Sequence, residues 1–205
     1  STYAQELADD FGRKVRNQIA SPDFNSVFPQ VGLRADSSSA KRFHTMQGGT
    51  YSAVGAGGAI TGRGAHLLII DDPIKGREDA ESETQRRNLV EWYKSVAYTR
   101  LQPGGKVIII QTRWHQDDLA GHILAESKED WKVLDLPAID NKGNALWPEA
   151  YSKEDLEKIK DTVGQRVWQA LYQQQPSNDE GSIIKREWWN IYEEDKIPTL
   201  SYVVQ

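Results

Sequence analysis

The stretch that decides the fold is HLLIIDDPIKG, residues 66–76, in which four consecutive apolar residues lead directly into two adjacent aspartates. An uninterrupted apolar run of this length is typical of a parallel strand that is buried on both faces. The chain then places Asp71 and Asp72 at the end of that strand. Two unpaired carboxylates at such a place would repel each other and lose hydration, so something must compensate their charge.

A second stretch of the same kind, VIIIQTRWH at residues 107–115, predicts a neighbouring strand. The polar residues 79–100 between the two strands predict one long helix, and WKVLDLPAI at residues 131–139 predicts a third strand. Buried strands that alternate with helices indicate parallel βαβ units in an α/β sheet. Since ligands bind beyond the carboxyl ends of such strands, the two aspartates should face a ligand crevice.

The first part of the chain predicts local elements outside this sheet. Apolar residues at helical spacing predict a helix over the first 19 residues, with Ser1 or Thr2 as its cap. Residues 21–30 are expected to form a polar loop. Two strands on either side of Gly48 and Gly49 are expected to form a hairpin.

Composition excludes several classes of protein. The 205-residue chain has a net charge of -5, which argues against a protein that coats nucleic acid along its whole surface. It contains no cysteine, so disulfides and thiolate metal sites are excluded. Its apolar runs are too short to span a bilayer, and we therefore expect a soluble intracellular protein without a membrane segment.

A bound Mg²⁺ would reverse the repulsion between the two aspartates. This is the Walker B arrangement, in which the first acid holds the hydrated Mg²⁺ and the second orients the attacking water. Asp71 fits the metal role, and Asp72 fits the second role, although glutamate is more frequent there. The alternative stays open that the same string is only a strand, a turn and a helix cap.

Three further residues are candidates for the same site. Gln111 and Thr112 end the second strand, where an uncharged hydrogen-bonding group could contact a γ-phosphate. Arg63 lies in the glycine-flanked sequence TGRG, from which a guanidinium could stabilise transition-state charge. An exposed loop arginine is the commoner interpretation of such a residue.

A possible metal cluster is formed in the sequence by His115, Asp117 and Asp118. We favour a structural interpretation, in which Asp117 or Asp118 caps the following helix and stabilises its positive end.

Three motifs together resemble the large terminase subunit of tailed bacteriophages and prophages, over about residues 1–192. They are TGRGAHLLIIDDPIK, VIIIQTRWHQDDLAGHIL and LYQQQPSNDEGS, in this order. The resemblance implies a motor ATPase and nuclease that packages viral DNA. The implied fold is α/β, a P-loop NTPase-type (RecA/ASCE-like), mostly parallel sheet flanked by helices, followed by a small helical linker. We accordingly expect an ATPase domain at 1–145, the linker at 146–180 and the start of an RNase H-like nuclease at 181–205.

The resemblance also implies the cofactors ATP and Mg²⁺ and a role for each candidate residue. Asp71 matches the magnesium-binding acid, Asp72 the catalytic carboxylate, and Thr112 with Gln111 the coupling motif. Arg63 matches a position where some terminases place an arginine finger that acts on a neighbouring subunit. No G-x-x-x-x-G-K-[ST] loop occurs, so we expect the ATPase domain to lack its first strand and phosphate loop. On this expectation the 205 residues alone do not hydrolyse ATP.

The partners implied by the resemblance are double-stranded DNA, the portal protein, the small terminase subunit and further copies of the chain in a ring. The implied location is the cytoplasm of the bacterial host, transiently at the procapsid portal and not in the mature virion. Two alternatives remain at this stage. One is another P-loop translocase of helicase-like type, and the other is a degenerate, non-catalytic prophage remnant.

Overall fold

The carboxyl-terminal ends of two parallel strands are the feature that the fold positions. The structure is a computed structural model that describes residues 1–58, 60, 62, 64–127 and 130–177. Its elements are α1 (Gln5–Ile19), α2 (Pro22–Val27), β1 (Leu33–Ser38), β2 (Arg42–Thr45), β3 (Thr50–Ser52), β4 (Ala65–Asp71), α3 (Arg77–Glu81), α4 (Glu83–Trp92), a π-helix (Tyr93–Ala97), a 3₁₀ turn (Tyr98–Arg100), β5 (Leu101–Ile110), α5 (Leu119–Glu126), α6 (Lys153–Val163), α7 (Gln165–Val167) and a second π-helix (Trp168–Tyr172). The chain is therefore α/β, and the expected start of a nuclease at 181–205 lies outside the described residues.

Strands β4 and β5 pair in parallel, and helices connect them, which confirms the predicted βαβ unit. Their register runs from Leu67 opposite Lys106 to Asp71 opposite Ile110. The pairing is irregular near the start of β5, where Gly104 has a φ of 76°. Glycine adopts this left-handed conformation without steric cost, so the sequence PGGK at residues 103–106 forms a bulge within the strand.

One face of this sheet is buried, because Leu68 and Ile70 pack into a cluster with apolar side chains of the helices. The helical members of the cluster are Leu89, Val90, Trp92, Tyr93, Ala97, Leu119 and Ile123. The opposite face carries four apolar side chains that are between 42% and 54% exposed, namely Leu67, Ile69, Ile108 and Ile110. The expectation that β4 is buried on both faces is therefore wrong for the residues that the structure describes.

The long helix predicted at residues 79–100 is also wrong, because this segment is divided. Ser82 has an extended backbone (φ -74°, ψ 110°) between α3 and α4, and its hydroxyl accepts a hydrogen bond from the Gln85 N–H at 3.3 Å. Serine prefers this capping position to the middle of a helix, so it ends one helix and begins the next. The indole N–H of Trp92 then fixes α4 by donating to the Gly58 carbonyl at 3.0 Å.

The third predicted strand does not form. Residues 131–138 have no ladder partner among the residues that the structure describes, and a cleft of about 900 Å³ lies along β5 and this segment. Val133 and Leu134 are consequently 60% and 79% exposed. Only Ile139, at the end of the segment, forms an isolated bridge, with Ala145. Its apolar-rich sequence is typical of a strand, but within the described residues it has no neighbouring strand to pair with.

The amino-terminal region contains the predicted hairpin, since β2 and β3 pair antiparallel with Phe43 opposite Tyr51. The third strand of this small sheet, β1, was not predicted. Part of the predicted loop is the short helix α2, whose first residue is Pro22 and whose cap is the Ser21 hydroxyl, accepting from the Phe24 N–H at 3.2 Å. Serine followed by proline is a helix-start signal, so helix α2 could have been predicted from the sequence.

The predicted capping of α1 by Ser1 or Thr2 is wrong, because the backbone of residues 1–3 hydrogen-bonds to the end of β4 and to Ala56 instead. The Asp71 N–H donates to the Ser1 carbonyl at 2.7 Å, and the Ala56 N–H donates to the Thr2 carbonyl at 2.6 Å. The N-cap of α1 is Ala4, whose side chain cannot accept a hydrogen bond. Pairing with β4 therefore takes precedence over capping.

The carboxyl-terminal part of the described chain is helical, with a break at Gly164. Helix α6 ends at Val163, and Gly164 has a φ of 80°, which a glycine adopts readily at a helix end. The second π-helix follows, with Trp168 stacked on Tyr172 at a centroid distance of 5.1 Å. Among the described residues, no helix is both long and apolar enough to cross a membrane.

Because the two faces of β4 differ in burial, truncation of its two adjacent isoleucines should lower the free energy of unfolding by different amounts. Ile70 is fully buried and Ile69 is 42% exposed. We expect Ile70→Ala to lower the free energy of unfolding by about 3 kcal/mol, because it opens a cavity in the core. The matched control Ile69→Ala should cost about 1 kcal/mol, since half of its surface is already hydrated. Denaturant titrations of both variants measure the free energy of unfolding. Equal decreases in the two variants would contradict a core that covers only one face of β4.

Candidate functional site

The two aspartates lie at the carboxyl-terminal end of β4, as expected. Asp71 is the last residue of the strand and shares the exposed face with Leu67 and Ile69. Asp72 follows with a φ of 40°, and its N–H donates to the Ile110 carbonyl at 2.9 Å. Aspartate is one of the few residues that tolerate this left-handed conformation. The turn leaves the Asp72 side chain exposed and Asp71 half-buried.

The end of β5 reaches the same place. The backbone N–H of Thr112 donates to Oδ1 of Asp72 at 3.0 Å, which joins the tips of the two strands. The adjacent Gln111 has a buried Oε1 with no hydrogen-bond partner in the described part of the chain. The structure thus brings Asp71, Asp72, Gln111 and Thr112 to one edge. Arg63, the fifth candidate, lies outside the described residues.

The electrostatics of the pair agree with the repulsion inferred from the sequence. Partial burial raises the pKa of Asp71 above its ordinary value, and the neighbouring charge of Asp72 raises this pKa further. Both causes disfavour the ionised form of Asp71. A cation at this edge would act in the opposite direction, because it stabilises the ionised carboxylate.

The donors present fit a hydrated Mg²⁺ better than a cage formed only by the protein. Carboxylate oxygens are the ligands that this ion prefers, and in nucleotide sites it typically keeps several waters and takes one or two carboxylates. Within the described ranges, no group of three or more His, Cys, Asp or Glu side chains could hold a metal ion. Asp71 and Asp72 would therefore be its protein ligands or lie close to it, while the unpaired Oε1 of Gln111 could accept from a water.

The favoured interpretation of Asp118 is confirmed. Its carboxylate caps α5 by accepting from the Gly121 N–H at 2.9 Å, and the side chain is 1% exposed. The same carboxylate pairs with Nε of Arg113 at 2.8 Å. A buried carboxylate with these two partners is satisfied without a metal.

Sequence analysis missed two glutamines that hold the end of β5 and the segment beyond it. Oε1 of Gln174 accepts from the Arg113 N–H at 3.2 Å. The amide of Gln173 makes two bonds with Ile139, accepting from its N–H at 3.0 Å and donating to its carbonyl at 2.9 Å. The run LYQQQP contributed to the resemblance, but consecutive amide side chains before a proline were also a signal of backbone contacts.

The fold and this edge define an α/β protein with a carboxylate pair at the end of a parallel strand, next to a polar strand tip. The family described as terminase large subunit, T4likevirus-type, N-terminal, matches residues 8–191. The chain belongs to this family, which confirms the resemblance seen in the three motifs. No curated protein matches the chain.

The raised pKa of Asp71 predicts how stability depends on pH. Between the ordinary value of 3.8 and the raised value, the folded state binds this proton more tightly than the unfolded state. The contribution of Asp71 to the free energy of unfolding therefore falls as pH rises through this window. We expect Asp71→Asn to be more stable than wild type at neutral pH without divalent cations, and this advantage should vanish below pH 3.8.

Denaturant titrations in a chelator at both pH values measure this difference. Added Mg²⁺ should stabilise the wild type more than Asp71→Asn, which would narrow the gap at neutral pH. If Asp71→Asn is less stable than wild type at neutral pH, the conclusion that ionised Asp71 destabilises the folded state is wrong.

Proposed function

We propose that this chain is part of the ATP-hydrolysing motor of a phage terminase, with its nucleotide site at the edge formed by Asp71, Asp72, Gln111 and Thr112. The family to which the chain belongs acts in phage DNA packaging. The observation that carries the proposal is the hydrogen bond from the Thr112 N–H to Asp72. It places an acid and a polar strand tip side by side, which is the arrangement that nucleotide hydrolysis requires.

The proposed fold is of the P-loop NTPase type, and the βαβ unit and the cleft along β5 support it. A six-residue strand occupies a volume on the order of 1,000 Å³ at ordinary strand and sheet spacings. The cleft beside β5 has a volume of about 900 Å³, which leaves room for one further strand. In this proposal the ATPase domain spans 1–145 without its first strand and phosphate loop, the linker spans 146–180, and a nuclease begins at 181–205.

The proposed mechanism gives each acid one task. Asp71 would hold hydrated Mg²⁺, and this ion would neutralise charge on the phosphates of ATP. The Thr112 N–H occupies Oδ1 of Asp72 and orients the carboxylate, so that Oδ2 can accept a hydrogen bond from the attacking water. Asp72 is exposed, as a residue must be to reach a water beside the γ-phosphate. Gln111 and Thr112 would then sense the loss of that phosphate at the strand tip.

The partners in this proposal are double-stranded DNA, the portal protein, the small terminase subunit and other copies of the chain in a ring. The proposed location is the cytoplasm of the bacterial host, at the portal of the procapsid during packaging. Genome cleavage would be performed by the nuclease that begins at residue 181.

The two acids should separate by role in a longer polypeptide that contains this chain and a phosphate-binding loop. Asp71→Asn should weaken binding of Mg²⁺-nucleotide and turnover together. Asp72→Asn keeps the side-chain oxygen that Thr112 contacts and tolerates the same backbone, so binding should persist. Its turnover should fall by about 10²–10⁴-fold, because the water loses its base.

Nucleotide titrations and phosphate release from both variants measure the separation. If Asp72→Asn loses binding as severely as Asp71→Asn, the assignment of roles is wrong. A wild-type polypeptide that binds nucleotide without turning it over would favour the alternative of a degenerate remnant.

Arg63, which has a glycine on each side in the sequence, is proposed to act on the nucleotide of a neighbouring subunit. In an assembled ring, Arg63→Ala should lower turnover by about 10³–10⁵-fold while nucleotide still binds. Mixing Arg63→Ala with Asp72→Asn should restore part of the activity, since some interfaces then join an intact Arg63 to an intact Asp72. Co-assembly without any recovery would exclude action between subunits.

A further inference from the structure

A chain of contacts connects Asp72 with the carboxyl-terminal helical region. Asp72 accepts from the Thr112 N–H at 3.0 Å, and the next residue, Arg113, donates its own N–H to Oε1 of Gln174 at 3.2 Å. Two adjacent backbone amides at the end of β5 thus contact two different regions. One binds the exposed carboxylate, and the other binds a side chain that is 61 residues away in the sequence.

Gln174 is itself held in one orientation. Its Nε2 donates to the Leu171 carbonyl at 2.7 Å, at the end of the second π-helix, and its backbone has a φ of 57°. Both ends of the amide are therefore used, one on its own helix and the other on the strand tip. A movement of this helix end would be transmitted to Arg113, and through the backbone to Thr112.

The side chain of Arg113 attaches this residue to the start of helix α5, away from Gln174. Its Nε lies 3.1 and 2.8 Å from the two oxygens of Asp118, and its Nη2 donates to the Gln116 carbonyl at 3.2 Å. Gly121 is packed so closely that a Cβ there would lie 1.8 Å from the Gln116 oxygen. Helix α5 thus provides a rigid support, and Gln174 is the second point of attachment.

We infer that Gln174 is a positioning residue for hydrolysis, which holds the backbone of residues 112–113 so that the Thr112 N–H orients Asp72. The inference rests on the proposed function, because it assigns to Asp72 the orientation of water. It goes beyond that function in making the geometry of the hydrolytic edge depend on the end of the helical region. The adjacent Gln173 has no such task, since both of its amide contacts are to Ile139.

Amide hydrogen exchange in the 205-residue chain tests the positioning without any enzymatic activity. Gln174→Ala removes the acceptor for the Arg113 amide. Faster exchange of the Arg113 amide is therefore expected whether or not Gln174 positions Thr112. The informative amide is that of Thr112, whose own bond to Asp72 is untouched by the substitution. Its exchange should accelerate about five- to tenfold if Gln174 positions the strand tip.

Gln173→Ala is the matched control, because it also removes two side-chain hydrogen bonds from the same turn. It should accelerate exchange of the Ile139 amide and leave that of Thr112 unchanged. Gln174→Glu keeps an oxygen for the Arg113 amide but loses the donor to the Leu171 carbonyl, so its Thr112 exchange rate should lie between those of wild type and Gln174→Ala. Unchanged Thr112 exchange in Gln174→Ala, or equal acceleration in Gln173→Ala, would overturn the inference.

Turnover provides the second readout, in the longer polypeptide with a phosphate-binding loop. Gln174→Ala should lower kcat about five- to tenfold at unchanged KM, whereas Gln173→Ala should keep kcat close to wild type. Equal kcat values for Gln174→Ala and Gln173→Ala would overturn the inference while Asp72-dependent turnover keeps the proposed function intact. If wild-type turnover does not depend on Asp72, the proposed function is wrong instead. The hydrogen-exchange rate of the Thr112 amide then decides whether Gln174 positions the strand tip.

Discussion

The parallel register of β4 and β5 is the constraint on which the candidate site depends. Asp71 lies opposite Ile110, so the Asp72 N–H meets the Ile110 carbonyl and the Thr112 N–H meets Oδ1 of Asp72. A shift of one residue would turn every side chain of β4 to the other face of the sheet. It would expose Ile70 and bury Asp71, so the burial of the core and the position of the acids are fixed by the same pairing.

This dependence explains why an unfavourable pair of charges can persist at the edge. The stabilising contacts of β4 come from Leu68 and Ile70, which point away from Asp71 into the helical cluster. Partial burial and the charge of Asp72, which raise the pKa of Asp71, act on the exposed face, where water still reaches the carboxylates. The cost is therefore limited by hydration, and a cation can reduce it without any change in the core.

Local patterns were sufficient for the parts of the fold that depend on neighbours in sequence. The hairpin at Gly48, the break at Gly164 and the cap at Asp118 each follow from the conformational preference of one or two residues. The meeting of Asp72 with Thr112 was also predictable, because parallel strands place their carboxyl ends together.

The failures concern contacts with another part of the chain. Residues 131–138 have an apolar-rich sequence typical of a strand, yet they have no ladder partner in the described part of the chain. The amino-terminal residues hydrogen-bond to the end of β4 and to Ala56 instead of capping α1, because these contacts satisfy more backbone groups than one cap does. The role of Gln174 was equally hidden, since its partner is 61 residues away.

Arg113 shows why a glutamine suits the end of β5. Beyond Ile110 the sheet no longer supplies acceptors, and a backbone N–H left without one in a half-buried place is costly. A carboxylate would satisfy that donor, but it would add a third negative charge near Asp72 and Asp118. The amide of Gln174 accepts the same hydrogen bond without charge and uses its NH₂ group to bind its own helix end. The strand tip is thus held on both sides, and no further negative charge is added beside Asp71 and Asp72.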